Sequence, residues 1–313
     1  VTALVVPREA SGSRLDRFLA GALDVSRSEI QRWIEAGRVR VEGAPRSASG
    51  PVREGERVEC DPMAPAATTA RAEEGVEFTV LHVDDDVVVV NKPAGLVVHP
   101  ARGHAGGTLV NGLLARGLFR AEDATDERPG IVHRLDKGTS GVMVVARTPR
   151  AREKLKAQFQ AHSIERAYRA LVVGAAAGTT HDTLHGRHPR DRMRFTTHVK
   201  SGKRAVTHVR VLDRLAGATH VECTLETGRT HQIRVHLAES GTPVLGDPLY
   251  GKPPKDPRVR AIGERLGHQA LHARLLGFIH PTTGRLLRFE ADPPADFAAA
   301  LQALPREDPG TDA

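Results

Sequence analysis

The chain is short of the residues on which several common chemistries depend. Only two cysteines occur in 313 residues, Cys60 and Cys223. They lie far apart and without CxxC spacing, which excludes a disulfide scaffold and a cysteine-based zinc site and suits a reducing cytoplasm. No stretch approaches the roughly 20 apolar residues of a membrane span. The apolar run near the start, "ALVVP", gives way at once to charge, and no export or anchoring signal is visible, so a cytoplasmic protein without membrane attachment is expected. There is no GxSxG elbow for a serine nucleophile. His231 and His236 stand five apart, not at the i, i+4 spacing of HExxH, and no carboxylate separates them. "GDPLYGKP" (Gly246 to Pro253) has the spacing of a phosphate loop, but Pro253 stands where a magnesium-binding hydroxyl is needed, so a structural turn is expected. Neither a metal nor a cofactor is expected, and no internal repeat is present.

What the chain has is length for a large domain beside a small one, and an excess of basic residues. Lys and Arg number 45 against 38 Asp and Glu, a net charge of +7, which favours an anionic partner such as nucleic acid.

In "SRLDRFLAGALDVSRSEIQRWIEAGRVRVEG" (Ser13 to Gly43), Leu15, Phe18, Leu19 and Leu23 recur at helical spacing. Ser26 and Glu29 form a capping-box pattern ahead of Ile30, Trp33 and Ile34, and Gly37 supplies a stop. Two short helices followed by a strand are expected. Arg14, Arg17, Arg27 and Arg32 fall on the polar side, where they can meet phosphates or simply face water. This order resembles the S4 RNA-binding domain, in which two helices present basic residues to structured RNA.

Residues 61–74, "DPMAPAATTARAEE", carry no periodicity and read as a linker. Beyond them, "EFTVLHVDDDVVVVNKPAG" gives two apolar runs around an Asp-rich turn, "GVMVVART" a short buried strand, and "RAVTHVRVL" with "THVECTLETG" a further strand pair. "PRAREKLKAQFQAHS" and "THQIRVHLAESG" read as helices, the first opened by Pro149 and the second closed by Gly241. The expected class is α+β, a mixed and largely antiparallel sheet in residues 75–293 after a small S4-like unit in 1–60. Residues 294–313, rich in Ala and Pro, read as a tail.

"HRLDKGTSG" (His133 to Gly141) sets an aspartate among cations. A carboxylate that works as a nucleophile or proton acceptor inside a pocket needs an opposite charge within about 4 to 6 Å. Arg134 shares a face with Asp136 only if the segment continues as a regular strand, and Lys137 points elsewhere. Arg229 in "ETGRTHQIRVH", where a Gly-Arg-Thr turn opens a helix, is the expected partner.

Four stretches, "NKPAGLVVHP" (Asn91 to Pro100), "HRLDKGTSG", "AYRALVVG" (Ala167 to Gly174) and "TGRTHQIRVHLA" (Thr227 to Ala238), stand in the order found in RluA-type RNA pseudouridine synthases. "GDPLYG" and "LHARLLGFIHPTTG" (Leu271 to Gly284) follow. Over roughly residues 78 to 290 the chain resembles that family, and the S4-like segment makes it similar to the RluD-like, large-subunit ribosomal RNA branch. RsuA-type relatives also carry an S4 domain but show a "GRLD" core, so His133 and "TGRTHQIRVH" favour the RluA side. The resemblance implies that Asp136 is the essential catalytic aspartate and that Arg229 pairs with it. It further implies that Tyr168 packs on the target base and takes the C5 proton, and that Arg134 enters the RNA stack as the uridine leaves. Ile233 and Leu271 are candidate apolar neighbours of the pocket. Many relatives have Asp where Gly138 stands.

The implied reaction cuts uracil from ribose at N1, turns it and rejoins it through C5, with no redox step or group donor. Asp136 attacks C1′ or removes a sugar proton to give a glycal, and both routes remain open. The implied partner is structured RNA, 23S ribosomal RNA or its large-subunit precursor, with a monomer as the working form. A glycoside hydrolase would need a second catalytic carboxylate, which does not stand out. A silent RNA-binding protein would have no use for Asp136, Tyr168 and Arg229 together.

Overall fold

The apolar residues at helical spacing near the N-terminus form two helices, α1 (Leu15–Leu23) and α2 (Arg27–Glu35). The computed structural model describes residues 2–23, 25, 27–63, 70–100, 106–118 and 129–307, and these helices belong to a first unit made of the described residues up to 63. Leu15, Leu19, Ile30 and Trp33 pack with Val39, Val41, Val58 and Cys60 of a small sheet. Its strands β1 (Thr2–Val5), β2 (Val39–Val41) and β3 (Arg57–Cys60) run antiparallel in the order β1-β3-β2. Gly37, at φ 71, ends α2 in the left-handed conformation that glycine adopts without strain. Ser26, half of the expected capping box, lies outside the described residues, while Glu29 faces Arg32 at 3.6 Å.

The second unit begins inside the expected linker. Residues 64–69 lie outside the described chain, but Ala70 is buried beside Phe78. The Arg71 carbonyl accepts a hydrogen bond from Asn111 Nδ2, and the Glu73 carboxylate accepts one from Gly107 N. Residues 70–74 are therefore docked, a correction that composition could not supply because it rests on backbone groups meeting a distant helix.

"VVVV" is buried on both faces. It lies in β5 (Val87–Lys92), between β4 (Thr79–Val83) and β6 (Ser140–Ala146). Because side chains alternate along a strand, Val88 and Val90 pack with Leu109 and Leu113 of α3 (Leu109–Ala115). Val87 and Val89 pack with Ala151 and Leu155 of α4 (Pro149–Gln160). Thr148 caps α4 by accepting from Ala151 N, with Pro149 in the first turn as its fixed φ favours.

The sheet continues through β7 (Glu165–Val173), β8 (Thr179–Arg187), β9 (Phe195–Thr196), β10 (Lys203–Leu215), β11 (Ala218–Leu225), β12 (Leu271–Ile279) and β13 (Leu286–Glu290). Its order is β4-β5-β6-β12-β7-β11-β10-β8-β9, with β13 attached to β12. All pairings are antiparallel except β6 with β12, where His272 faces Ser140 and Ala273 faces Gly141. Gly141 allows that contact. It has φ 118, and a Cβ there would lie 2.2 Å from the Ala273 carbonyl oxygen.

Helices α5 (Gln232–Glu239), α6 (Pro257–Leu266) and α7 (Ala295–Gln302) contribute to a core with β7, β11 and β12. The expected tail is corrected here. Phe297, Ala300, Leu301 and Leu304 recur at i, i+3, i+4 and i+7, and this stripe packs with Val259, Ile262 and Leu266. Alanine-rich composition concealed a docked helix; residues 308–313 lie outside the described chain. None of the described helices is long and apolar enough to cross a membrane.

Candidate active site

Asp136 lies in the loop that leads into β6, and two lower layers hold that loop. Thr139 N donates to the Asp136 carbonyl at 3.0 Å, closing a tight turn, and Gly95 N donates to the Lys137 carbonyl at 2.8 Å. Lys92, fully buried at the end of β5, donates from Nζ to the carbonyls of Pro93, Leu96 and Lys137. Burial lowers the Lys92 ammonium to about 7, against the pull of Asp136. "NKPAG" thus acts as a brace under "HRLDKG".

Gly138 also acquires a reason. A Cβ at that position would lie 2.3 Å from Gln269 Oε1, and the Gln269 amide donates to Thr139 Oγ1 at 3.1 Å. Glycine leaves room for this glutamine to support the turn.

The Asp136 side chain is 19 % exposed and opens on a cavity of about 300 Å³. Tyr168 from β7, Arg134, Arg166, Arg229, Arg234 and His231 also line it, as do the apolar Ile233 and Leu271. The expected site residues are therefore brought together, but the expected pairing is not. Arg234 Nη1 donates to Asp136 Oδ2 at 2.8 Å. Arg229 lies in the turn before α5, where Gln232 Oε1 accepts from its backbone N–H and its Nε donates to the Arg204 carbonyl at 3.0 Å. The correction has a geometric cause. Both arginines belong to "GRTHQIR", but only Arg234 is on the buried α5, with its fork directed at carboxylates.

The other edge of that fork explains "GDPLYG". Arg234 Nε and Nη2 donate to Asp247 Oδ2 and Oδ1 at 2.7 and 2.8 Å, and Asp247 Oδ1 also accepts from Leu249 N and Tyr250 N. Burial alone would raise the Asp247 carboxyl; the guanidinium overrides it and leaves the group below its ordinary value. Burial likewise opposes the Arg234 charge, but its two carboxylate partners raise it above the usual arginine range. The expected structural turn is thus also a support for the arginine beside Asp136. A buried arginine demands such a partner, but nothing local in the sequence marks Arg234 rather than Arg229 as the buried one.

Other pocket groups are set by burial. His133, stacked on Phe159 at 4.5 Å, accepts from Val144 N through Nε2, and burial lowers it to about 3, so it stays neutral. Burial raises the Tyr168 phenol, partly offset by Arg166, so it stays protonated near neutral pH. Arg166 donates from Nη2 to the Glu226 carbonyl. Asp136 is the one carboxylate among the described lining residues, facing four arginines, a balance suited to a phosphodiester ligand.

In the first unit, Arg14 and Arg27 both bond Asp16, whose side chain has no exposure, and Gln31 bonds it too. Sequence reasoning missed this buried acid. The two guanidiniums remain 48 % and 52 % exposed, Arg17 is exposed, and Arg32 lies near Glu29.

Comparisons with known proteins identify the family. The RNA pseudouridylate synthase profile matches residues 86–239 and the S4 domain profile residues 13–58. A ribosomal large subunit pseudouridine synthase D of Xanthomonas campestris is 45 % identical, covering 97 % of this chain and 92 % of the relative. An uncharacterized RNA pseudouridine synthase of Chloroflexus aurantiacus is 46 % identical, covering 96 % and 93 %. The solved structure of human RNA pseudouridylate synthase domain containing 4 is 27 % identical with a TM-score of 0.58, covering 74 % of this chain and 95 % of that one. The chain belongs to the RNA pseudouridine synthase family and carries an S4 domain ahead of its catalytic unit.

Proposed function

We propose that Asp136 carries the isomerisation of uridine to pseudouridine in large-subunit ribosomal RNA. The observation that supports this best is the pocket's charge pattern: one carboxylate, anchored on one oxygen by Arg234 and open on the other, among arginines. A glycoside hydrolase would place a second acid across the cavity, and none of the described lining residues supplies one.

In this reading a uridine leaves the RNA stack, at a cost of a few kcal/mol that is least in an unpaired loop. Arg134, exposed at the cavity, fills the space left behind. Asp136 acts on the ribose through its open oxygen, as nucleophile at C1′ or as base toward a sugar proton. The N1–C1′ bond breaks, the uracil turns, the C5–C1′ bond forms as Asp136 is released, and the proton lost from C5 is balanced by one taken up at N1, so the product is an isomer and the redox state is unchanged. Tyr168 packs on the base; its protonated phenol can receive the C5 proton only while passing on its own. Arg229 and Arg166 hold backbone phosphate. Arg14, Arg17, Arg27 and Arg32 give the S4 unit a salt-sensitive hold on structured RNA. A monomer is the proposed working unit, acting in the cytoplasm where ribosomal RNA is assembled.

The test is release of tritium from C5-labelled uridine in large-subunit ribosomal RNA, with transfer RNA as the competing substrate. Asp136→Asn should abolish release. Turnover that survives the substitution would refute the role of Asp136, and preference for transfer RNA would refute the substrate.

A further inference from the structure

The two oxygens of Asp136 have different neighbours. Oδ2 takes the Arg234 hydrogen bond, whereas Oδ1 faces His231 Nε2 at 3.9 Å. His231 precedes α5 at φ 59, a left-handed conformation that costs a β-carbon-bearing residue about 1–3 kcal/mol and tends to persist at functional sites.

The proton on His231 can be placed from its other nitrogen. Nδ1 lies 2.8 Å from Tyr250 Oη, and that oxygen accepts the Phe195 N–H at 2.9 Å. If Nδ1 were a second donor into the same oxygen, the phenolic hydrogen of a tyrosine only 5 % exposed would have no acceptor among the described residues. Tyr250 therefore donates to Nδ1, and the imidazole carries its hydrogen on Nε2, facing Asp136.

We propose that His231 is a positioning residue of the isomerisation: Tyr250 fixes its tautomer, and its Nε2–H orients Asp136 Oδ1, the oxygen that Arg234 leaves open. At 3.9 Å the contact is longer than a hydrogen bond, and such contacts tighten when substrate enters. The "GDPLYG" turn then grips both sides of the carboxylate, through Asp247 and Arg234 on Oδ2 and through Tyr250 and His231 on Oδ1. The inference rests on the reading of Asp136 given above.

The tautomer matters only while the imidazole is neutral. The groups that face His231 are Asp136 and Arg134 from the loop before β6, Arg234 from α5, and Asp247 and Tyr250 from the turn, with Arg194 over the Tyr250 ring. Burial lowers His231, Asp136 opposes this and Arg234 adds to it, leaving the group below its ordinary value.

Tyr250→Phe removes the hydroxyl that chooses the tautomer. Its single-turnover rate on a ribosomal RNA fragment should fall about ten- to hundredfold at about pH 8, the scale of one charge-assisted hydrogen bond. The deficit should hold down to about pH 6.5 and shrink as the pH is taken lower, to about 5, because His231 protonates below the ordinary imidazole value and a protonated imidazole carries both hydrogens whatever its partner. His231→Gln, whose amide N–H needs no tautomer, should recover part of the rate lost in His231→Ala. A wild-type to Tyr250→Phe rate ratio that is constant across this range, or equal rates for the Gln and Ala variants, would overturn the proposal. Asp136→Asn separates it from its premise. An active Asp136→Asn protein removes both readings, whereas an inactive one with a flat Tyr250→Phe ratio removes this one alone.

Discussion

Arg234→Lys keeps the charge beside Asp136 and removes the fork. In the native site three N–H groups are engaged, Nη1 on Asp136 at 2.8 Å and Nε with Nη2 on Asp247 at 2.7 and 2.8 Å. A lysine ammonium is a point charge on a flexible stem and cannot reproduce that planar pattern on two carboxylates. Losing a charge-assisted hydrogen bond costs about 1.5–3 kcal/mol, so a loss that falls on Asp136 should lower kcat about 10- to 150-fold. If the lysine stays with Asp136, the loss falls on the wholly buried Asp247 side chain and appears as stability, on the scale of about 3–5 kcal/mol for a broken buried pair. Arg229→Ala is the matched control. Its Nε bonds a backbone carbonyl and its side chain lines the cavity, so it should raise KM for RNA more than it lowers kcat. The assay is single-turnover pseudouridine formation alongside thermal melting of each variant. If Arg229→Ala costs more in kcat than Arg234→Lys while Arg234→Lys also melts like the native protein, the pairing of Asp136 with Arg234 is refuted and the sequence-based assignment of Arg229 is restored.

Two further outcomes follow from packing and burial. His236 on α5 is 2 % exposed, bonds Thr183 and Thr207, and is lowered by burial to about 4. The unfolded chain therefore binds a proton between about pH 6.5 and 4 that the folded chain refuses, so stability present at neutral pH is lost as the pH falls through that window, by about 3 kcal/mol. His236→Gln should flatten this part of a melting-temperature profile, and an unchanged acid slope would refute the assignment. Gly141→Ala drives a β-carbon to 2.2 Å from the Ala273 carbonyl oxygen at φ 118. It should destabilise the protein by about 3 kcal/mol in denaturant titration, since clash and backbone strain add; a loss within the noise of a surface substitution would show that the β6–β12 contact yields.

Strands and helices with strong local pattern were legible before any coordinates. The Asp-rich turn in "HVDDDVVVV" became the β4–β5 hairpin because Asp84 Oδ1 accepts from the Asp86 and Val87 amides. The α7 stripe was present in the sequence too, at i, i+3, i+4 and i+7, but alanine and proline masked it. The order β6-β12-β7 was not legible, because a parallel contact between residues 140–141 and 272–273 leaves no local trace.

The sequence by itself determined the chemistry: the order of four motifs named the family, and Asp136 stood out as a carboxylate in need of a cation. Only the tertiary structure decided which cation. Arg229 and Arg234 are five residues apart in one motif, so spacing could not separate them. Their difference arises from α5, which buries Arg234 between Asp136 and Asp247 while Arg229 stays in the turn before it. The carboxylate, its arginine and the acid behind that arginine come from residues 136, 234 and 247. Such a set is assembled by packing and can be read only once the chain has folded.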